Sequence, residues 1–116
     1  MSVAIAQVIF VVLFIGLTYL HSASTAVSDA KDHRADYPAT NGLTVGVEMG
    51  FLLVVIMAVL YSLGMGWRVA LMIPIGFCLW RATYELEYGQ AMGNRTDLSD
   101  VSAEIMFFLV CLLGLL

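Results

Sequence analysis

The chain has 116 residues, of which 61% are hydrophobic and only 12% are charged, and its formal net charge is −4. An average soluble domain carries about 25% charged residues, so this composition indicates a membrane protein. The acidic balance offers no basic surface for nucleic acid and disfavours tight binding to anionic lipid headgroups. A spanning helix needs roughly 20 apolar residues, so we expect four spans and no separate soluble domain.

The first predicted span covers residues 2–21 and is followed by a polar loop at 22–42. A cleaved signal peptide is the alternative, since residues 24–26 resemble a cleavage site. However, the run has no positive region before it and is long for the apolar part of a signal peptide. Small apolar residues between 23 and 30 recur with helical period, so we expect the helix to continue out of the bilayer to about Ala35.

The central part of the chain predicts two apolar helices, at residues 43–63 and 69–88, joined by a glycine-containing turn. Pro74 lies inside the third helix, where it removes a backbone hydrogen bond and predicts a kink. The second helix carries small residues at four-residue spacing, which lets two helix backbones approach closely. These candidate helix-packing residues are Gly46, Gly50, Ala58 and Ser62.

The last predicted span covers residues 101–116 and follows a polar loop at 89–100. The fold class is therefore an all-α integral membrane protein with four transmembrane helices. Four spans place the loops 22–42 and 89–100 on one face and both termini on the other. Lysine and arginine are more frequent on the loop side, so the positive-inside rule predicts cytoplasmic loops and outside termini. We expect this arrangement in a bacterial inner membrane.

The first polar loop contains the clearest candidate metal site. Three aspartates and a histidine follow one another at i, i+3, i+4 and i+7, so in a helix they share one face. Carboxylates and an imidazole one turn apart can hold a divalent cation. The alternative is a solvated acidic face, which Lys31 and Arg34 interrupt. The candidate ligands are Asp29, Asp32, His33 and Asp36.

Glu48 is an acidic residue early in the second helix, with apolar sequence on both sides. A carboxylate inside a membrane is costly, so it is a functional candidate that could bind a cation, relay a proton or pair with an arginine. Alternatively, Glu48 lies at the headgroup level, one turn into the helix, where the positive end of the helix dipole stabilises it.

A second polar group, Arg81, Tyr84 and Glu85, lies at the end of the third helix. One interpretation is a polar pocket for a charged small molecule, in which Arg81 binds a carboxylate. The other is an interfacial belt with a snorkelling arginine and a local ion pair one helical turn apart. Together with Glu48, these residues form the predicted intramembrane polar site.

The four-span layout, the early glutamate of helix two and the sequence Arg81-Ala-Thr-Tyr84 resemble the MAPEG superfamily of trimeric membrane enzymes. Those enzymes act in glutathione and eicosanoid metabolism. The resemblance implies a glutathione-type ligand near Arg34, Glu48, Arg81 and Tyr84. The chain departs from the family pattern at Val45, where the family has an asparagine, and it lacks the family proline shortly after the glutamate.

Three functions are compatible with these features. The first is a small non-catalytic subunit that packs within a larger membrane complex or a homo-oligomer, with Gly46 and Gly50 at the helix contact. The second is a MAPEG-like enzyme that binds glutathione or a lipid-like substrate. The third is an oligomeric cation or proton pathway built around Glu48. We expect the first, with no catalytic residue, and with the lipid bilayer and other membrane subunits or a second copy as partners.

Overall fold

The computed structural model of the chain describes residues 2–34, 42–91, 93 and 101–115. All regular structure in these ranges is helical, which confirms the predicted all-α class. A short 3-10 helix, Gly66–Leu71, precedes the third α-helix. The four α-helices are α1 (Val3–Arg34), α2 (Gly42–Ser62), α3 (Met72–Ala91) and α4 (Ser102–Leu115).

Three stretches are long and apolar enough to cross a membrane: Val3–Ala30, Thr44–Ser62 and Gly66–Ala91. They expose many large apolar side chains on the surface of the chain. Soluble monomers rarely expose so much contiguous apolar surface, so this surface suits lipid or other protein. α4 has 14 residues and is about 21 Å long, which is shorter than a hydrocarbon core of about 30 Å.

The first helix confirms the expectation that it continues well beyond its apolar run. α1 has 32 residues and ends at Arg34, which gives a length of about 48 Å. The first part of the predicted polar loop, from residue 22 to residue 34, is therefore helical. Residues 35–41 lie outside the described ranges.

The most extensive helix contact in the described structure is between α1 and α3. One face of α1 is buried there, and apart from one phenylalanine its side chains are small. Small residues at four-residue spacing let the two backbones approach closely. The buried residues of α1 at this spacing are Phe14, Thr18, Ser22, Ala26 and Ala30, and Asp29 is buried beside them.

Gly76 of α3 lies against the ring of Phe14 on α1. A Cβ atom added to Gly76 would lie 2.7 Å from Cζ of Phe14, so the ring occupies the space that a side chain would need. The small residues that were predicted on α2 behave differently. A Cβ atom added to Gly46 or Gly50 would meet nothing within 4 Å, and Ala58 and Ser62 are exposed.

α2 ends in a Schellman motif, in which a glycine in left-handed conformation stops the helix. Gly64 has a φ of 91°. Its N–H donates to the carbonyl of Tyr61 at 3.0 Å, and the N–H of Met65 donates to the carbonyl of Leu60 at 3.1 Å. Gly66, with a φ of 69°, then directs the chain into the 3-10 helix.

Pro74 does not interrupt a continuous α-helix, as the prediction of a kinked helix at 69–88 assumed. Residues up to Leu71 are 3-10 helix, and Pro74 is the third residue of α3. Backbone N–H groups in the first turn have no intrahelical partner, so a proline costs no hydrogen bond there. Pro74 therefore lies in the first turn of α3, and a kink at this position stays a prediction.

Two side chains donate hydrogen bonds to the C-terminal ends of helices, at the end of the bundle where α2 and α4 terminate. Nε2 of Gln7 donates to the carbonyl of Leu63 at 3.0 Å, and Nη1 of Arg68 donates to the carbonyl of Leu115 at 2.8 Å. Carbonyls in the last turn of a helix lack intrahelical donors, and a cation there also interacts favourably with the helix dipole. The core above this end of the bundle consists of Phe14, Ile56, Leu60, Met65, Met72, Ile75 and Cys111.

Candidate functional site

Side chains from three helices meet in one hydrogen-bonded chain near the start of α2. Nε2 of His21 on α1 lies 2.5 Å from Oε2 of Glu48 on α2. The indole N–H of Trp80 on α3 donates to Nδ1 of His21 at 3.1 Å. The imidazole therefore links all three helices.

The tryptophan determines the proton position on this histidine. An indole nitrogen can only donate, so Nδ1 of His21 must be an acceptor without a proton. The proton of the neutral ring is then on Nε2, and that N–H donates to the carboxylate of Glu48. Such a charge-assisted hydrogen bond is stronger than one between two neutral groups. The side chain of Glu48 is 55% exposed, so the protein itself does not enclose this carboxylate.

A second hydrogen bond joins α1 and α3 closer to the end of α3. The hydroxyl of Tyr84 donates to Oδ2 of Asp29 at 2.6 Å, and Asp29 is only 4% exposed. A buried carboxylate requires such partners, because an unsatisfied one is costly. Tyr84 also stacks between Trp80 and Tyr88, with ring centroids 5.1 and 5.6 Å apart. This aromatic column connects the two polar contacts.

Ser22 strengthens the same helix pair through the backbone. Its hydroxyl donates to the carbonyl of Trp80 at 2.6 Å. Thr18, one turn earlier on α1, is fully buried, and its hydroxyl has no hydrogen-bond partner among the described residues. The buried face of α1 is therefore polar as well as small.

Arg81 belongs to a separate ionic cluster between α3 and α4. Its Nε lies 3.3 Å from Oε1 of Glu85 and 3.5 Å from Oε1 of Glu104. The pair with Glu85 is the local ion pair one turn apart that the sequence suggested. The side chain of Arg81 is 56% exposed, so its guanidinium is accessible from outside the bundle.

The four residues of the predicted polar site do not form a single pocket. Glu48 contacts the histidine of α1, Tyr84 contacts the buried aspartate of α1, and Arg81 and Glu85 pair on the side of α4. Trp80 lies between the first two contacts. The three groups thus face different neighbours.

Of the four residues of the predicted metal site, only Asp29 has a side chain within the described structure. Asp29 points toward Tyr84 rather than toward solvent. Asp32 and His33 belong to α1, but their side chains lie outside the description, and Asp36 lies outside it entirely. The described residues contain no group of three or more metal-ligating side chains. A divalent cation at these four positions stays a prediction.

Sequence reasoning missed the partners of the residues that it singled out. His21, Asp29 as a partner of Tyr84, and Glu104 all come from other helices. Small and polar residues, among them Thr18 and Ser22, recur every four positions in the sequence, and this spacing indicates a packed helix face. The contact between His21 and Trp80 had no such signal, because 59 positions separate the two residues.

Two grooves run along α2, one on each side. The larger has a volume of about 400 Å³ and lies between α2 and α3, with Phe14 of α1 also in its wall. The other has a volume of about 360 Å³ and lies between α1 and α2, beside His21 and Glu48. α2 is therefore held at its start by the histidine contact and is flanked by open space.

Comparisons with protein-family models, with curated proteins and with solved structures find no match. The resemblance to MAPEG enzymes thus has no support from these comparisons. Three of the residues that it implies, Glu48, Arg81 and Tyr84, each contact other side chains of the chain.

Proposed function

We propose that this chain is a small non-catalytic membrane subunit that packs against helices of other subunits through the outward face of α2. The observation that carries the proposal is the exposure of one continuous face of that helix. Val47, Phe51 and Val54 are 64%, 73% and 65% exposed, and Ala58 is exposed as well. These positions follow i, i+4, i+7 and i+11, so they lie on one side of the helix.

The loose attachment of α2 supports the same proposal. Among the contacts between elements, the contact of α2 with α3 is the least extensive. The small residues Ala58 and Ser62 are on the exposed side and would let a partner helix approach closely. Polar groups on α1 and α3, by contrast, bind one another inside the chain. A subunit whose polar contacts join α1 and α3 while α2 presents an uncovered apolar face fits an assembly role.

The proposal is tested by native mass spectrometry after mild extraction from the membranes in which the chain is made. We expect masses that contain a second copy or a different membrane protein. Ala58→Leu places a large side chain in the proposed contact and should reduce the assembled fraction. Val12→Leu, at an exposed position of α1, is the matched control and should leave it unchanged. A stable monomer with no partner in native membranes would contradict the proposal.

A second candidate function is a cation or proton pathway centred on Glu48. The contact between Glu48 and His21 favours it, since a carboxylate and an imidazole in direct contact can exchange a proton. In this proposal Glu48→Gln would strongly reduce proton or cation flux in liposomes. Glu87→Gln, near the end of α3, is the control. Unchanged flux in the Glu48 variant would exclude this pathway.

A further inference from the structure

The groove between α2 and α3 is lined mostly by apolar residues and has an arginine at one end. α2 and α3 run in opposite directions along it, from Val45 and Arg81 at one end to Leu53 and Ile73 at the other. Eight residues of helix correspond to about 12 Å, which is close to half of a hydrocarbon core of about 30 Å. Gly46 and Gly50 keep the α2 wall low, because neither carries a side chain. The groove therefore has the length of one leaflet.

Arg81 lines the charged end of the groove, and the carboxylates of Glu85 and Glu104 lie beside its guanidinium on the side of α4. The guanidinium of Arg81 pairs through Nε with Glu85 at 3.3 Å and Glu104 at 3.5 Å, and the Arg81 side chain is 56% exposed. An exposed guanidinium can bind a phosphate in the bidentate manner of arginine. The two carboxylates beside it leave a local excess of negative charge, which suits an ammonium group. This pattern complements a headgroup that carries both charges.

We infer that this groove binds one acyl chain of a zwitterionic phospholipid, with the phosphate at Arg81 and the ammonium at Glu85 and Glu104. An acidic lipid without an ammonium group would bring its negative charge next to two carboxylates that share one arginine, in a chain with a net charge of −4. The volume of about 400 Å³ is within the range of small-molecule sites, which are mostly apolar with a few placed polar groups. The site is distinct from the outward face of α2, which lies on another side of that helix.

The test uses the purified full chain in a nonionic detergent, titrated with phosphatidylethanolamine or phosphatidylglycerol that carry identical acyl chains. Native mass spectrometry then measures the lipid that each chain retains as the collision energy rises. We expect one strongly retained phosphatidylethanolamine per chain, bound about tenfold more tightly than phosphatidylglycerol. Glu104→Gln should reduce that preference, because it removes one of the two acceptors for the ammonium group.

Gly50→Leu fills the groove, and Val54→Leu on the outward face of the same helix is its matched control. We expect the first variant to bind phosphatidylethanolamine about tenfold more weakly and the second to bind it like the unsubstituted chain. Equal retention of the two lipids by the unsubstituted chain would overturn the inference without any variant. Unchanged binding in Gly50→Leu would overturn it as well. The spectra report lipid adducts and chain assembly as different masses, so this inference and the proposed subunit function fail separately.

Discussion

The helices of this molecule pack in two different ways: α1 and α3 are tightly joined, whereas α2 is partly uncovered. α1 and α3 approach closely through small residues. Ser22 donates a hydrogen bond to α3, and His21 and Asp29 accept hydrogen bonds from it. α2 is at least as apolar, yet it leaves most of one face uncovered. Lipid tails are as apolar as leucine, so hydrophobicity alone does not drive helices together in a membrane. Close backbone approach and polar contacts decide which pair forms.

The largest effect should come from filling the close approach at Gly76. Gly76→Leu forces a side chain into the space of the Phe14 ring, and we expect a loss of about 3 kcal/mol in the free energy of unfolding, at the upper end of overpacking effects. Gly46→Leu, at a position with open space, should change it by less than about 0.5 kcal/mol. Denaturant titration in detergent micelles measures both variants. Equal losses of unfolding free energy in the two variants would contradict the prediction that only Gly76 is closely packed.

A smaller loss should follow removal of the tyrosine hydroxyl that donates to the buried aspartate. Tyr84→Phe keeps the aromatic column but deprives Asp29 of one donor, and we expect a loss of about 2 kcal/mol. Tyr88→Phe is the matched control, because Tyr88 stacks in the same column and its hydroxyl has no hydrogen bond among the described residues. The same titration compares the two. A loss in the control as large as in Tyr84→Phe would assign the effect to stacking instead.

The smallest effect should be the coupling between α1 and α2 at their polar contact. A double-mutant cycle with His21→Ala and Glu48→Ala measures it, and we expect about 0.6 kcal/mol, the average for such contacts between membrane helices. The exposure of Glu48 keeps this value below that of the Tyr84 contact. A coupling energy larger than the loss measured for Tyr84→Phe would mean that α2 is held to α1 as firmly as α3 is.

Helix positions were predictable because their signals are local. The predicted second helix, 43–63, agrees with Gly42–Ser62 to within one residue at each end. Its end was predictable because the glycine at 64 adopts a left-handed conformation that stops the helix. The continuation of α1 beyond residue 21 followed from a helical repeat in the sequence. The third helix was predicted to begin at residue 69, and it begins at Met72, because the 3-10 helix before it has no distinct pattern in the sequence.

The candidate site was only half predictable. Sequence reasoning selected Glu48, Arg81 and Tyr84, because charged and aromatic residues near apolar segments are conspicuous. Their partners, His21, Glu104 and Asp29, come from helices that are distant in the sequence. A carboxylate in a short polar segment gives no sign of the side chain that it will meet. Only the packing of the helices supplies that information.

The sequence by itself determined that this protein is all-helical, where most of its helices begin and end, and that their surfaces suit lipid. The tertiary structure decided which faces meet. It buried the small residues of α1 against α3, and it left the small residues of α2 uncovered. The physical reason is that apolar residues are spread around each helix, so no hydrophobic pattern marks its inner face. The choice among faces depends on close packing and on hydrogen bonds between residues far apart in the chain.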